Sequence, residues 1–93
     1  MKRIHFAFLD AQHDYPSLME ELKFVVERQE KGDVIICDDY TFYHTGKMQF
    51  PGINQAIDEF VEEYPYHQKI FYGDDGEKKR GYVYLERNDK RRF

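Results

Sequence analysis

The stretch that most constrains this chain is the apolar run Val34-Ile35-Ile36-Cys37, with Asp33 before it and Asp38-Asp39-Tyr40 after it. Three β-branched residues and a cysteine without polar alternation predict a strand covered on both faces, as in a parallel sheet. The run stops at two adjacent carboxylates. Ligands of open α/β sheets bind outside the carboxyl ends of such strands, so Asp38 and Asp39 stand where chemistry is usually placed.

A second short run, Ile4 to Leu9, also ends in an aspartate, Asp10. Between the two, Tyr15-Pro16-Ser17 predicts a helix start, because Pro suits the first turn and Ser17 with Glu20 has the form of a capping box. Leu18, Leu22 and Val25, flanked by Met19 and Val26 and followed by Gln29, give a one-sided stripe, and Lys31-Gly32 is the expected stop. Strand, helix and strand make a βαβ unit. A polar and aromatic loop, Thr41 to Phe50, is expected to overhang the strand tips. Pro51-Gly52 then opens a second helix carrying Ile53, Ile57, Phe60 and Tyr64, which Pro65 ends. His67 to Tyr72 and Gly81 to Glu86 read as a terminal hairpin around a Gly- and charge-rich loop in which Lys78-Lys79-Arg80 faces Asp74-Asp75. The charged tail from Arg87 is expected to fray.

The chain has 93 residues, which suits one small domain. With 14 Lys and Arg against 18 Asp and Glu the net charge is -4, so nothing in the overall charge favours nucleic acid. A single cysteine excludes an internal disulfide, and no apolar stretch reaches the roughly 20 residues of a membrane helix. No signal peptide is read in Met1 to Leu9, and a cytoplasmic location is the expectation. Aromatic residues make up 17%, so some rings are expected on a surface that meets a partner.

Carboxylates at the ends of neighbouring parallel strands, about 4.8 Å apart, can converge on one ion. Magnesium takes hard oxygen ligands and keeps waters at its other positions, so Asp10, Asp38 and Asp39 form a candidate ligand set. His13, three residues after Asp10, is a candidate general base at neutral pH. Each acid taken singly is an ordinary turn or cap residue; it is the set, at two strand tips with a histidine at fixed offset, that points to chemistry. Cys37 reads as core, His44 as a loop residue in reach of a ligand, and no G-x-G-x-x-G cradle is present. A receiver-like phosphoacceptor pocket is a weaker alternative.

The order Phe-Leu-Asp10-Ala-Gln-His13-Asp-Tyr15, a helix closing at Gly32, and then Val-Ile-Ile-Cys-Asp38-Asp39-Tyr40 resembles the carboxyl-terminal half of class I S-adenosylmethionine-dependent methyltransferases. The likeness is strongest to the metal-dependent O-methyltransferases of the catechol and macrocin types. It implies magnesium on Asp10, Asp38 and Asp39, His13 as base, and a small-molecule hydroxyl substrate. It also implies an α/β fold, half of a Rossmann-like methyltransferase domain. The expected sheet has four mixed strands in the order 1-2-4-3, with two helices on one face and a C-terminal β-hairpin. The family's amino-terminal half, which carries the glycine-rich cofactor loop, has no counterpart in these residues. S-adenosylmethionine is therefore expected only if that half is supplied, and the single methyltransferase-like domain is expected to be inactive alone. With it would go the cover of one sheet face and of the first strand's edge, so a homo-oligomer or a partner chain completing the sheet is expected. The alternative is a non-catalytic dimerisation or partner-binding module derived from the same fold.

Overall fold

A computed structural model describes residues 2–10, 14–40, 43–44, 46–76 and 78–88, the side chains of 74, 75, 78 and 80 excepted. In chain order the elements are β1 (Phe6–Leu9), α1 (Tyr15–Val26), β2 (Val34–Asp38), β3 (Tyr43–His44), β4 (Lys47–Met48), α2 (Pro51–Glu63), β5 (Tyr66–Asp75) and β6 (Lys78–Arg87). β1 and β2 are parallel, with Leu9 opposite Cys37. β6 runs antiparallel to β2 on one side and to β5 on the other. The four main strands thus lie in the order β1-β2-β6-β5, the 1-2-4-3 arrangement read from the sequence.

One core sits between the sheet and both helices. Leu18, Leu22 and Val25 of α1 and Ile53, Ala56, Ile57 and Phe60 of α2 meet Ile35, Cys37, Val83 and Leu85 of the sheet. Full burial of each large side chain contributes about 1.5 to 3 kcal/mol, so this layer holds the small domain together. Among the described residues the other face has no helix. Ile35 and Cys37 are buried while Val34, Ile36 and Asp38 are only half-buried. Within the described residues the expected cover of β2 is present on one face, and the other face carries the apolar Val34 and Ile36, so the run does not alternate.

Several boundaries also move. Asp14, not Ser17, caps α1: its carboxylate accepts from the Ser17 N–H at 2.9 Å. Helix α1 ends at Val26, and Gly32, at φ 94°, serves the turn into β2 instead of closing the helix. Gln29 lies beyond the helix yet is buried, its amide donating to the Val34 carbonyl and its oxygen accepting from the Tyr66 hydroxyl at 2.6 Å. The expected loop from Thr41 to Phe50 contains the β3–β4 hairpin, and β3 pairs with Lys78 and Lys79 of β6. The charged stretch Gly73 to Arg80 is mostly strand, with Asp74 opposite Lys79 and Asp75 opposite Lys78 in register. Opposite charges in register suit a ladder as well as a loop, so composition alone did not separate them. Pro65 does end α2, holding Tyr64 in extended conformation. The tail beyond Asn88 lies outside the described residues.

Candidate metal centre

Parallel pairing sets the ends of β1 and β2 level, which brings Asp10, just past Leu9, beside Asp38. A carboxylate oxygen from each of Asp10, Asp38 and Asp39 lies within 4.8 Å of the others. Asp10 is exposed, Asp38 half-buried and Asp39 buried, so the group opens to solvent on the Asp10 side. Asp39 adopts φ 62°, the left-handed region that Asp tolerates better than most residues, at a cost of about 1 kcal/mol or more. Its N–H donates to Asp38 Oδ1 at 2.8 Å, which fixes one carboxylate against the turn.

Two contacts hold that turn. The next residue, Tyr40, is buried, and its hydroxyl donates to Asp58 Oδ1 of α2 at 2.8 Å. Burial foremost, and then the Asp58 carboxylate, push the Tyr40 phenol up to about 12, so it stays a donor. On the other side the Tyr40 carbonyl crosses Gly81 of β6 so closely that a Cβ there would come within 2.3 Å of the oxygen. Only glycine lets the backbone after the acidic pair pass over β6. Neither Asp58 nor Gly81 carries a sequence signal, because each acts through a strand or helix distant in the chain. Tyr40 lies at the end of the organising run and was the one member within reach of sequence reasoning.

The donor set fits a hard divalent cation. It offers only anionic oxygen, it keeps an open side, and oxygens around an ion at about 2.1 Å lie at most about 4.2 Å apart. A modest side-chain movement would close the difference. Without a cation, each pair of carboxylates at this spacing repels by about 1 to 3 kcal/mol between water-like and protein-surface dielectric. Among the described residues, neither Asp10 nor Asp38 has a salt-bridge partner. His13 lies outside the described residues. His44 is half-buried in β3, and His67 is exposed at the start of β5, at the far end of the sheet. A groove lined by Lys31, His67, Glu86 and Arg87 also lies at that far end, away from the acids. Cys37 is core as expected; burial foremost, and then the Glu21 carboxylate, push its thiol up to about 12.

Solved structures share this fold. An O-methyltransferase structure from Klebsiella pneumoniae matches with a TM-score of 0.72 and 17% identity over 95% of this chain and 42% of that one. The O-methyltransferase from Bacillus cereus in complex with SAH matches at 0.71 and 16%, again over 95% and 42%. In fold, this chain resembles part of an O-methyltransferase. The O-methyltransferase TomG from Streptomyces achromogenes, involved in tomaymycin synthesis and solved with SAM, gives 0.67 and 12% over 92% and 40%. The chain spans about two fifths of the length of these structures. No protein-family model and no curated protein matches the sequence. No helix among the described residues is long and apolar enough to cross a membrane.

Proposed function

We propose that this chain is the metal- and acceptor-binding part of a magnesium-dependent O-methyltransferase of the S-adenosylmethionine type. The convergence of Asp10, Asp38 and Asp39 at the strand tips of a methyltransferase-like fold carries the reading. These three residues would hold the ion, which when bound lowers the pKa of an acceptor hydroxyl. Asp39, held by the Tyr40 clamp, and Asp38, held by the Asp39 N–H, keep the carboxylates aimed at one point. His13 would take the acceptor's proton, and the freed oxygen would attack the sulfonium methyl of S-adenosylmethionine in line, the S–CH3 bond breaking with its electron pair left on the sulfur of S-adenosylhomocysteine. Most of the acceleration comes from positioning. The cofactor is bound by the remaining part of the fold, so the 93 residues are inactive alone; with that part supplied they act on a small hydroxyl compound, without nucleic acid or membrane, in the cytoplasm.

Calorimetric titration tests this division of labour, with catechol as probe acceptor and S-adenosylhomocysteine as probe cofactor. Catechol should bind only with magnesium present, and Asp38→Asn should abolish that binding. S-adenosylhomocysteine should give no heat with this chain. Magnesium-independent catechol binding removes the metal role, and micromolar S-adenosylhomocysteine binding removes the claim that these residues lack the cofactor site. A second reading, a non-catalytic assembly module, draws on the exposed aromatic face of the sheet and requires neither ligand.

A further inference from the structure

At the level of Asp38 the sheet changes partners. β2 pairs with β6 only as far as Asp38 opposite Tyr82. Beyond that point β5 and β6 run on together as a ribbon, from Tyr72 opposite Gly81 to Asp75 opposite Lys78. The β3–β4 hairpin joins the β6 side of this ribbon through Tyr43 opposite Lys79 and His44 opposite Lys78. Lys79 is three residues beyond Tyr82 and so lies roughly 10 Å past the level of Asp38, at about 3.3 Å per residue. The outer ribbon therefore stands beside the opening above the acids, and the molecule is 41 Å long against 23 Å across.

Two features make this part of the molecule separable from the rest. Among the described residues of 43–48 and 72–80 none is buried, so the outer ribbon has no core of its own and belongs to the low-stability end of the structure. Its base also carries a glycine in each strand, Gly81 of β6 opposite Tyr72 and Gly73 of β5 opposite Arg80, in adjacent rows. Glycine inside a strand packs no side chain and keeps the most backbone freedom, so the paired glycines form a flexible waist. The Tyr40 carbonyl meets β6 at this waist: a Cβ on Gly81 would lie 2.3 Å from that oxygen and 3.1 Å from the Tyr72 ring. The residue directly after the acidic pair thus bears on the point where the ribbon can bend.

We infer that the outer ribbon and the β3–β4 hairpin form a flap, hinged at Gly73 and Gly81, whose position is set by occupancy of the acidic centre. The inference rests on the metal reading proposed above and adds a regulation to it. A small divalent ion draws the three carboxylate oxygens from as much as 4.8 Å to at most about 4.2 Å apart, and the Asp38–Asp39 turn moves with them. Tyr40 is anchored on the helix side by its 2.8 Å bond to Asp58, so the movement is passed to its carbonyl and from there to Gly81. An ion shifts the flap only by binding one of its positions better than the other, and the seated turn supplies that difference. Hinges of this kind sit at a few element-terminal residues, as the two glycines do. Without an ion the flap is loose; with one it is held beside the acceptor.

Hydrogen–deuterium exchange of the full chain, paired with calorimetric titration of magnesium, tests the flap. Millimolar Mg²⁺ should slow backbone exchange at residues 43–48 and 72–81 at least about fivefold and leave residues 28–33, at the entry to β2, unchanged. Asp38→Asn should show no magnesium-dependent slowing. Gly73→Val lies outside the metal centre and stiffens the waist, because a β-branched residue favours the extended chain. That variant should bind magnesium at least as tightly as the wild type, with its outer ribbon already slowed before metal is added. If one ion binds the wild type while exchange of the ribbon stays the same, or if Gly73→Val exchanges and responds as the wild type does, the flap is overturned and the metal centre stands. If calorimetry shows no magnesium binding, both readings fall together.

Discussion

Strand β2 enters and leaves through an aspartate that is only 3% exposed, and the two ends solve the problem of a buried carboxylate in opposite ways. At the entry, Asp33 receives two bonds from the Arg3 guanidinium, both 2.9 Å, and one from the Glu30 N–H at 2.8 Å. The Arg3 hydrogen bonds foremost, against the opposing effect of burial, bring Asp33 down to about 2. At the exit, Asp39 is grouped with two further carboxylates in a strained turn. An acid neutralised by its own chain contributes to stability. Carboxylates massed together repel one another, and a bound cation would offset that cost.

The largest effect expected on this contrast is that of Gly81→Ala. The added Cβ collides with the Tyr40 carbonyl, so β6 or the acidic turn must shift, at about 2 to 3 kcal/mol in urea unfolding. The variant should also take up divalent cation more weakly, which a change at the entry end should not do. Intact metal uptake in a folded Gly81→Ala chain would separate the clamp from the site.

Next in size is Asp33→Asn, expected to cost about 1 to 2 kcal/mol at neutral pH, since Arg3 is partly exposed and the pair is screened. Asp33 titrates lower in the folded chain than in the unfolded one. Its stabilisation is therefore complete above the unfolded value near pH 4 and is lost as pH falls toward about 2. Acid unfolding of the wild type should steepen across that interval, and the Asn variant should lack that component; identical profiles would contradict the assignment.

The smallest effect has the opposite sign. Asp39→Gly relieves the left-handed backbone, an effect of about 0.5 to 1 kcal/mol on the metal-free chain, and should weaken cation uptake. A loss of stability would place Asp39 with Asp33, as a structural acid.

How far these features could be read from the sequence follows the range of the interactions that create them. The strand tips and both helices are set by local periodicity and by Pro65 and stand as read, while the sheet order, which also stands, was implied by the family resemblance and by nothing local. The three acids were legible because Asp10 follows β1 and the Asp38-Asp39 pair closes β2. Their support was not: Asp58 and Gly81 meet Tyr40 only after α2 and β6 have packed. The β2 run shows a related limit: Val34 and Ile36 lie on the face that no helix of the described residues covers, and an apolar strand face reads alike in sequence whatever covers it. Asp14 displaced Ser17 as the cap because both residue types suit that position, and only the chain's path chooses between them.

The most direct test of the account is calorimetric titration of Mg²⁺ and Mn²⁺ into the wild type, Asp33→Asn and Asp38→Asn. The account predicts one ion per chain for the wild type and for folded Asp33→Asn, and none for Asp38→Asn. Equal binding by the wild type and Asp38→Asn, or no binding by the wild type at millimolar metal, would show that the acids at the exit of β2 do not form a metal centre.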